Sequence, residues 1–244
     1  MRKHFSRPFS LLLLAATCCF ASNAAEKVSI NGITEPFLDV TLSASVAGII
    51  SAENFKEGDV VKKGDVILEL DNKLQQFEVQ RRKAVLDQSK MEVESTRSLS
   101  QSTKSVSKEE SAKKEAEFNV ATAEHGVASE ELARRQITAP FSGSIAEINL
   151  QTGSAVAPYQ ALARLVDVTR CYFTGHMDGK IASGLQLGQA VKIEIEGVTA
   201  PVVGKISFIS PVVDPASGLA KVKAIFENTD GKIRPGLAAK LTAQ

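Results

Sequence analysis

The stretch FKEGDVVKKGDVILELDNK, Phe55 to Lys73, holds the lysine whose placement most invites covalent chemistry. Two short alternating apolar runs are set apart by the turn triplets Glu57-Gly58-Asp59 and Lys63-Gly64-Asp65, and Lys73 follows the last strand residue. An ε-amino group held at the tip of such a hairpin could carry an amide-linked cofactor. The other chemical candidates are sparse. His125 and His176 lie far apart, there is no CxxC and no HExxH, and three methionines make no methionine-rich metal site. The sequence therefore offers no catalytic constellation and no metal or cofactor site apart from the question posed by Lys73.

The elements that would position these residues begin with the N-terminus. Arg2, Lys3 and Arg7 precede the apolar run Phe9 to Phe20, and ASNAA follows. This is the layout of a secretory leader, with Ser22 and Ala24 as the small residues before a cleavage point after Ala24. The run is shorter than the roughly 20 residues that span a bilayer. An uncleaved anchor, or lipidation at Cys18 or Cys19, is the alternative. After cleavage only Cys171 remains, so no internal disulfide can form. A formal net charge of +1, few aromatics and no Trp give no footprint for nucleic acid.

VAGIISAENFKEGDVVKKGDVILELDN (Val46–Asn72) lies on FSGSIAEINLQTGSAVAPYQALARLVD (Phe141–Asp167) without a gap. Gly48 meets Gly143, Ile50 meets Ile145, Gly58 meets Gly153, Val61 meets Val156 and Leu70 meets Leu165. Together with Gly64, these glycines mark turns, and the aliphatics between them alternate as in half-buried strands. The pattern predicts one sandwich built from two halves. Between them, Lys73 to about Leu99 and about Ser107 to Arg135 are rich in helix formers. Ser98–Ser107 reads as a serine-rich break, SKEE at Ser107 as an N-cap, and Pro140 as a stop that ends the second helix near Ala139. The arms of this hairpin are each about 28 residues, or roughly 40 Å. Helix one carries two heptad-spaced apolar rows, Phe77/Ala84/Met91 and Val79/Leu86/Val93. Helix two carries Phe118/His125/Leu132 and Val120/Val127. The rows of each helix point about 200° apart, so one row packs the sister helix and the other is left without a partner inside the hairpin.

With the leader, the split halves, the hairpin and ITAPFSGSI (Ile137–Ile145), the chain resembles the periplasmic adaptors, or membrane fusion proteins, of resistance–nodulation–division efflux pumps. SPVVDPASGLAKVKAIFENTDGKIRPGLAAKL (Ser210–Leu241) is similar to the family's β-barrel signature, with a VDP turn, an F-x-N strand end and a PG turn. TEPF (Thr34–Phe37) resembles the strand that enters the same barrel. The fold this implies is mainly β with a long coiled-coil hairpin: a lipoyl/biotinyl-like sandwich split by the hairpin, then a small barrel. The implied divisions are 1–24 leader, 25–44 barrel strand, 45–72 first half, 73–136 hairpin, 137–168 second half and 169–244 barrel. The implied function is a non-catalytic bridge in the periplasm between an inner-membrane transporter and an outer-membrane channel, usually as a ring of six. The hairpin tip meets the channel.

Two departures accompany the resemblance. The family's tip pattern is an Arg, a Leu four residues on and a Ser seven after that. Anchored on Ser107, the pattern puts Thr96 and Ser100 where Arg and Leu are expected, while Arg97 and Leu99 are each one residue off. Arg97, Leu99 and Ser107 are carried over as the tip. The sequence also ends eight residues after Gly236, where many members continue into a membrane-proximal domain, which is expected to be missing. The alternatives are an adaptor of an ABC-type exporter or a type I secretion system and, remotely, a lipoyl or biotinyl carrier modified at Lys73.

Overall fold

A computed structural model describes residues 28–103 and 107–243. The leader, its cleavage point and Cys18 and Cys19 lie outside the described residues. In chain order the elements are β1 (Val28–Ser43), β2 (Gly48–Glu53), β3 (Val60–Val61), β4 (Val66–Leu70), α1 (Lys73–Thr103), α2 (Lys108–Ala133), β5 (Gln136–Thr138), β6 (Gly143–Ile148), β7 (Ala155–Val156), β8 (Ala161–Asp178), α3 (Gly179–Ala182), β9 (Ala190–Ile195), β10 (Val202–Ile209), β11 (Leu219–Glu227) and β12 (Ala238–Ala243).

The strict alternation of burial along β9, β11 and β12 is what one-sided burial of a curved sheet requires. The order β1-β12-β9-β10-β11-β8, with β1 also paired to β8, closes a six-stranded barrel. Closure removes the sheet edges. Phe173, Ile193, Val222, Ala224, Phe226 and Leu241 fill its core. A second core, around Ile50, Val61, Ile67, Leu70, Ile145, Leu162 and Leu165, lies in the sandwich. There the sheet β5-β4-β2-β7 faces β3, β6 and the N-terminal part of β8.

The sequence repeat becomes an exchange of hydrogen bonds between halves. The Gly58 N–H donates to Ile145 O, and the Gly153 N–H to Ile50 O, both at 2.8 Å. The Gly64 N–H donates to Ala139 O at 2.8 Å, and the equivalent Tyr159 N–H to Ala44 O at 2.7 Å. Each half's turns are thus tied to the other half's strands, so neither half closes its backbone bonding alone. The repeat is imperfect at one place. Gly64 has φ +92°, and its counterpart Tyr159 holds φ +63°, the only positive φ of a non-glycine among the described residues. A side chain there costs roughly 1 kcal/mol.

Both helix ends differ from the sequence expectation. The serine-rich break is absent as far as Thr103, because α1 continues through Ser98–Thr103. Ser89, Thr96 and Ser100 continue the heptad face that meets α2, and this packing outweighs the modest helix propensity of serine and threonine. Helix α2 stops at Ala133 rather than near Ala139. Gln136 and Ile137 leave it to pair with Glu69 and Leu68, and Ile137 is buried in the sandwich core.

Candidate functional site: the hairpin and its outward face

The hairpin is anchored where it leaves the sheet. The Leu70 N–H donates to Arg135 O at 2.8 Å, and Arg135 Nη1 donates to Asp71 O at 2.8 Å. Asn72 accepts from Gln76 Nε2 at 2.9 Å and begins α1. Lys73 is exposed in the first turn of that helix, so the tight hairpin a carrier lysine needs is absent at this position.

From this base α1 runs for 31 residues, about 45 Å at 1.5 Å per residue. On α1 the half-buried positions include Gln75, Val79, Arg82, Leu86, Ser89, Val93, Thr96 and Ser100, in alternating steps of four and three, with Glu78 and Glu92 at their flank. On α2 the buried and half-buried positions include Ser111, Lys114, Phe118, Ala121, His125, Ala128 and Leu132, with Ala121 and Ala128 fully buried and Glu117, Glu124 and Ser129 at the flank. These faces form the seam. The Val79/Leu86/Val93 row therefore faces the sister helix, as does Phe118/His125/Leu132. The other rows point outward: Ala84 is exposed, and Phe77, Met91, Val120 and Val127 are 57%, 63%, 58% and 60% exposed. The small buried alanines of α2 were not picked out in the sequence; their seven-residue spacing is the signal that identifies them.

Ion pairs flank the seam. Arg82 bonds Glu124 across the hairpin, Lys114 reaches Glu92 at 2.7 Å, and Arg97 reaches Glu115 at 3.4 Å. Such solvent-screened pairs contribute little to stability, so their main effect is on register. Arg81 and then Arg82 donate to Glu78 and hold its carboxyl down to about 2, from an ordinary value of 4.5. Lys114, then Gln88, lowers Glu92. A carboxylate depressed in the folded state stabilises it above the unfolded value, and that contribution is lost as pH falls toward the folded value. The unfolding temperature followed at 222 nm should therefore fall between about pH 4.5 and 2, and Glu78→Gln should make that fall shallower. An equal fall in the wild type and the variant would contradict this.

At the far end Leu99 is 48% exposed, and Arg97 lies lower on α1, paired with Glu115. Ser107 caps α2: its Oγ accepts the Glu110 N–H at 3.0 Å, with Glu109 and Glu110 in the first turn, where carboxylates favour the helix dipole. Thr96 and Ser100 belong to the seam, so the pattern anchored on Ser107 does not present them outward. Of the sandwich glycines, Gly58, Gly64 and Gly153 take positive φ at turns. Gly48 and Gly143 sit in strands, and a Cβ on Gly143 would come 2.4 Å from Val166 O.

Among the described residues no three His, Cys, Asp or Glu side chains are grouped to hold a metal ion, and no helix is long and apolar enough to cross a membrane. The Cys171 thiol is buried in the barrel, and burial pushes its pKa up to about 11.

Comparison with known proteins matches residues 39–168 to the family model described as RND MFP, barrel-sandwich hybrid domain, and residues 177–244 to a CusB-like, beta-barrel domain. The efflux pump periplasmic linker BepF of Brucella suis is 29% identical over 241 residues, covering 89% of this chain and 59% of the relative. The multidrug resistance protein MdtE of Escherichia coli is 28% identical over 234 residues, covering 84% of this chain and 61% of the relative. The chain thus spans about three-fifths of the length of these relatives. Among solved structures, a MacA–MexA chimera carrying the Pseudomonas aeruginosa MexA α-hairpin domain superposes with a TM-score of 0.76. It is 22% identical and covers 90% of this chain and 79% of the chimera. The Streptococcus pneumoniae membrane fusion protein Spr0693 superposes at 0.67, with 17% identity and coverage of 89% and 98%. At these identities the likeness concerns the fold.

Proposed function

The chain belongs to the RND membrane fusion proteins, and from that premise we propose that it is a periplasmic adaptor joining an inner-membrane transporter to an outer-membrane channel for efflux of small molecules. Its role is mechanical. The chain is exported by its leader, several copies associate (six by family resemblance), and the barrel and sandwich stand toward the inner membrane. The hairpin reaches outward, with Leu99, Arg97 and Ser107 forming the contact with the channel.

The observation that carries this reading is the unpartnered row on a hairpin about 45 Å long. Phe77, Met91, Val120 and Val127 keep apolar side chains in water over several helical turns, which a freestanding two-helix spacer does not need. Helices of neighbouring copies supply the missing partner. The test is Val120→Asp/Val127→Asp. Neither residue is in the seam, so the variant should fold with wild-type stability to within about 0.5 kcal/mol. In-cell chemical cross-linking, which should give multimer ladders for the wild type, should give none for the variant. Ladders that persist in the variant, or a wild type that never forms them, would overturn the reading.

A further inference from the structure

The sandwich and barrel share two long strands, β1 and β8, and the ladder between them is interrupted twice, by a one-residue slip at Leu42/Ser43 and by a larger break where the two units meet. Pro36 pairs with Cys171 and Leu38 with Asp167, so Phe37 alone faces Val168, Thr169 and Arg170. A three-against-one bulge breaks the ladder and lets the ribbon bend. The two family matches divide in the same region, one ending at residue 168 and the other beginning at 177.

Two of the bulge's carbonyls are held from the barrel side. Asn228, at the F-x-N strand end that follows β11, is buried to 2% exposure. Its N–H donates to Thr169 O at 2.8 Å, and its Nδ2 donates to Val168 O at 2.8 Å and to Ile233 O at 2.9 Å. Its Oδ1 accepts the Ile233 N–H at 3.0 Å. The Thr169 N–H and hydroxyl both donate to Asp167 Oδ1, at 2.9 and 2.6 Å. On the outer side the Arg170 guanidinium lies 3.7 Å from the centre of the Phe37 ring, which stacks on Tyr172 at 5.5 Å. Lys223 continues the ladder over Tyr172 and pairs with Glu35 at 3.0 Å.

We infer that the bulge of Phe37 against Val168–Arg170 is the joint between sandwich and barrel, and that Asn228 is the pin that holds it in one setting. The side-chain amide is suited to this. It offers two donors to two carbonyls and one acceptor to an N–H, and a buried group left with any of these unmet costs far more than the bond contributes. The Arg170–Phe37–Tyr172 stack is a second, half-buried clamp on the outer side of the same bend. Asn228 therefore acts as a positioning residue: it fixes the angle between the barrel and the sandwich that carries the hairpin. The inference does not depend on the export reading.

Cys171 supplies a built-in reporter, because its Sγ lies 3.8 Å from Val168 O and 3.9 Å from Asn228 Nδ2 and is inaccessible while the joint is closed. In the full chain carrying C18S and C19S, so that Cys171 is the remaining thiol, Asn228→Asp keeps the acceptor and replaces the amide nitrogen, with both its donors, by one carboxylate oxygen facing two carbonyls. Its alkylation by a maleimide under native conditions should be at least about tenfold faster than in the parent. Hydrogen exchange should quicken over residues 165–175 and stay at the parent rate over 190–195, and small-angle scattering should show a wider spread of maximum dimension. Arg170→Gln, in the half-buried outer clamp, should give a smaller acceleration in the same segment and covers the case in which N228D does not fold. Unchanged Cys171 reactivity would overturn the inference. So would exchange quickened evenly through the chain, or local opening with an unaltered scattering profile.

Discussion

Replacing residues 73–133 by a single glycine should leave a folded sandwich and barrel that no longer support export. The pairing of β4 with β5 makes the excision possible. Glu69 faces Gln136, and the Leu70 N–H already bonds Arg135 O, so Asp71 and Arg134 are the next pair of a hairpin. Asn72 followed by the new glycine then makes a two-residue Asn-Gly loop, the sequence best suited to such a turn. No residue of α1 or α2 belongs to either core cluster. The shortened loop also lowers the entropy of closing β4 onto β5. Unfolding free energy should therefore stay within about 1 kcal/mol of the parent per cooperative unit, while the helical band at 222 nm largely disappears. On the proposed adaptor role, export, measured as accumulation of toxic small molecules in cells, should fall to the level of cells lacking the chain. A shortened protein that fails to fold would make the hairpin part of the sandwich's own stability; one that still exports would remove the hairpin from the function.

Gly32→Ala should be the most damaging of the single small substitutions in the barrel. Gly32 lies opposite Gly175 in the β1–β8 ladder that closes the barrel. A Cβ there would sit 2.2 Å from Thr174 O and 2.7 Å from Cζ of Phe173, whose ring is fully buried. Neither neighbour can yield: one is backbone in the adjacent strand, the other is packed on all sides. The strand must shift, at a cost of about 3 kcal/mol, equivalent to roughly 10 °C in unfolding temperature for a chain of this size. Gly126→Ala in α2 is the control. A Cβ there meets nothing within 4 Å, and the helix gains up to about 1 kcal/mol from the better helix former. Thermal unfolding of the two variants should move in opposite directions, and a shift of the same sign would show that the close approach at Gly32 is not what limits the barrel.

The split sandwich was legible because its signals are local and repeated. Glycines at matching turns and aliphatics in matching phase give the exchange of bonds between Gly58 and Ile145 and between Gly153 and Ile50. The repeat hid its own exception: nothing in Ala157-Pro158-Tyr159-Gln160 marks Tyr159 as left-handed until it is set against Gly64. The hairpin was legible as two helices, but the alternate positions of the seam on α1 are polar or charged. Gln75, Arg82, Ser89 and Thr96 read as solvated, and Ser100 breaks the apolar row that runs through Val79, Leu86 and Val93, so the serine run looked like a break. The end of α2 was misplaced because Pro140 states where a helix must stop, not where a strand begins to compete for Ile137. The joint was the least visible feature. Asn228 could be seen as a strand end, but its partner Val168 is 60 residues away, and only the folded chain brings them together.

In-cell photo-cross-linking from both ends of one chain is the most direct test of a bridging role. A photoreactive side chain at Leu99, half exposed near the hairpin tip, or at Leu187, 70% exposed on the barrel, reports what each end touches. The bridging account expects an outer-membrane protein captured from Leu99 and a multi-span inner-membrane protein captured from Leu187, with neither adduct formed from the opposite end. The same partner captured from both positions, or no membrane protein captured from either, would contradict it.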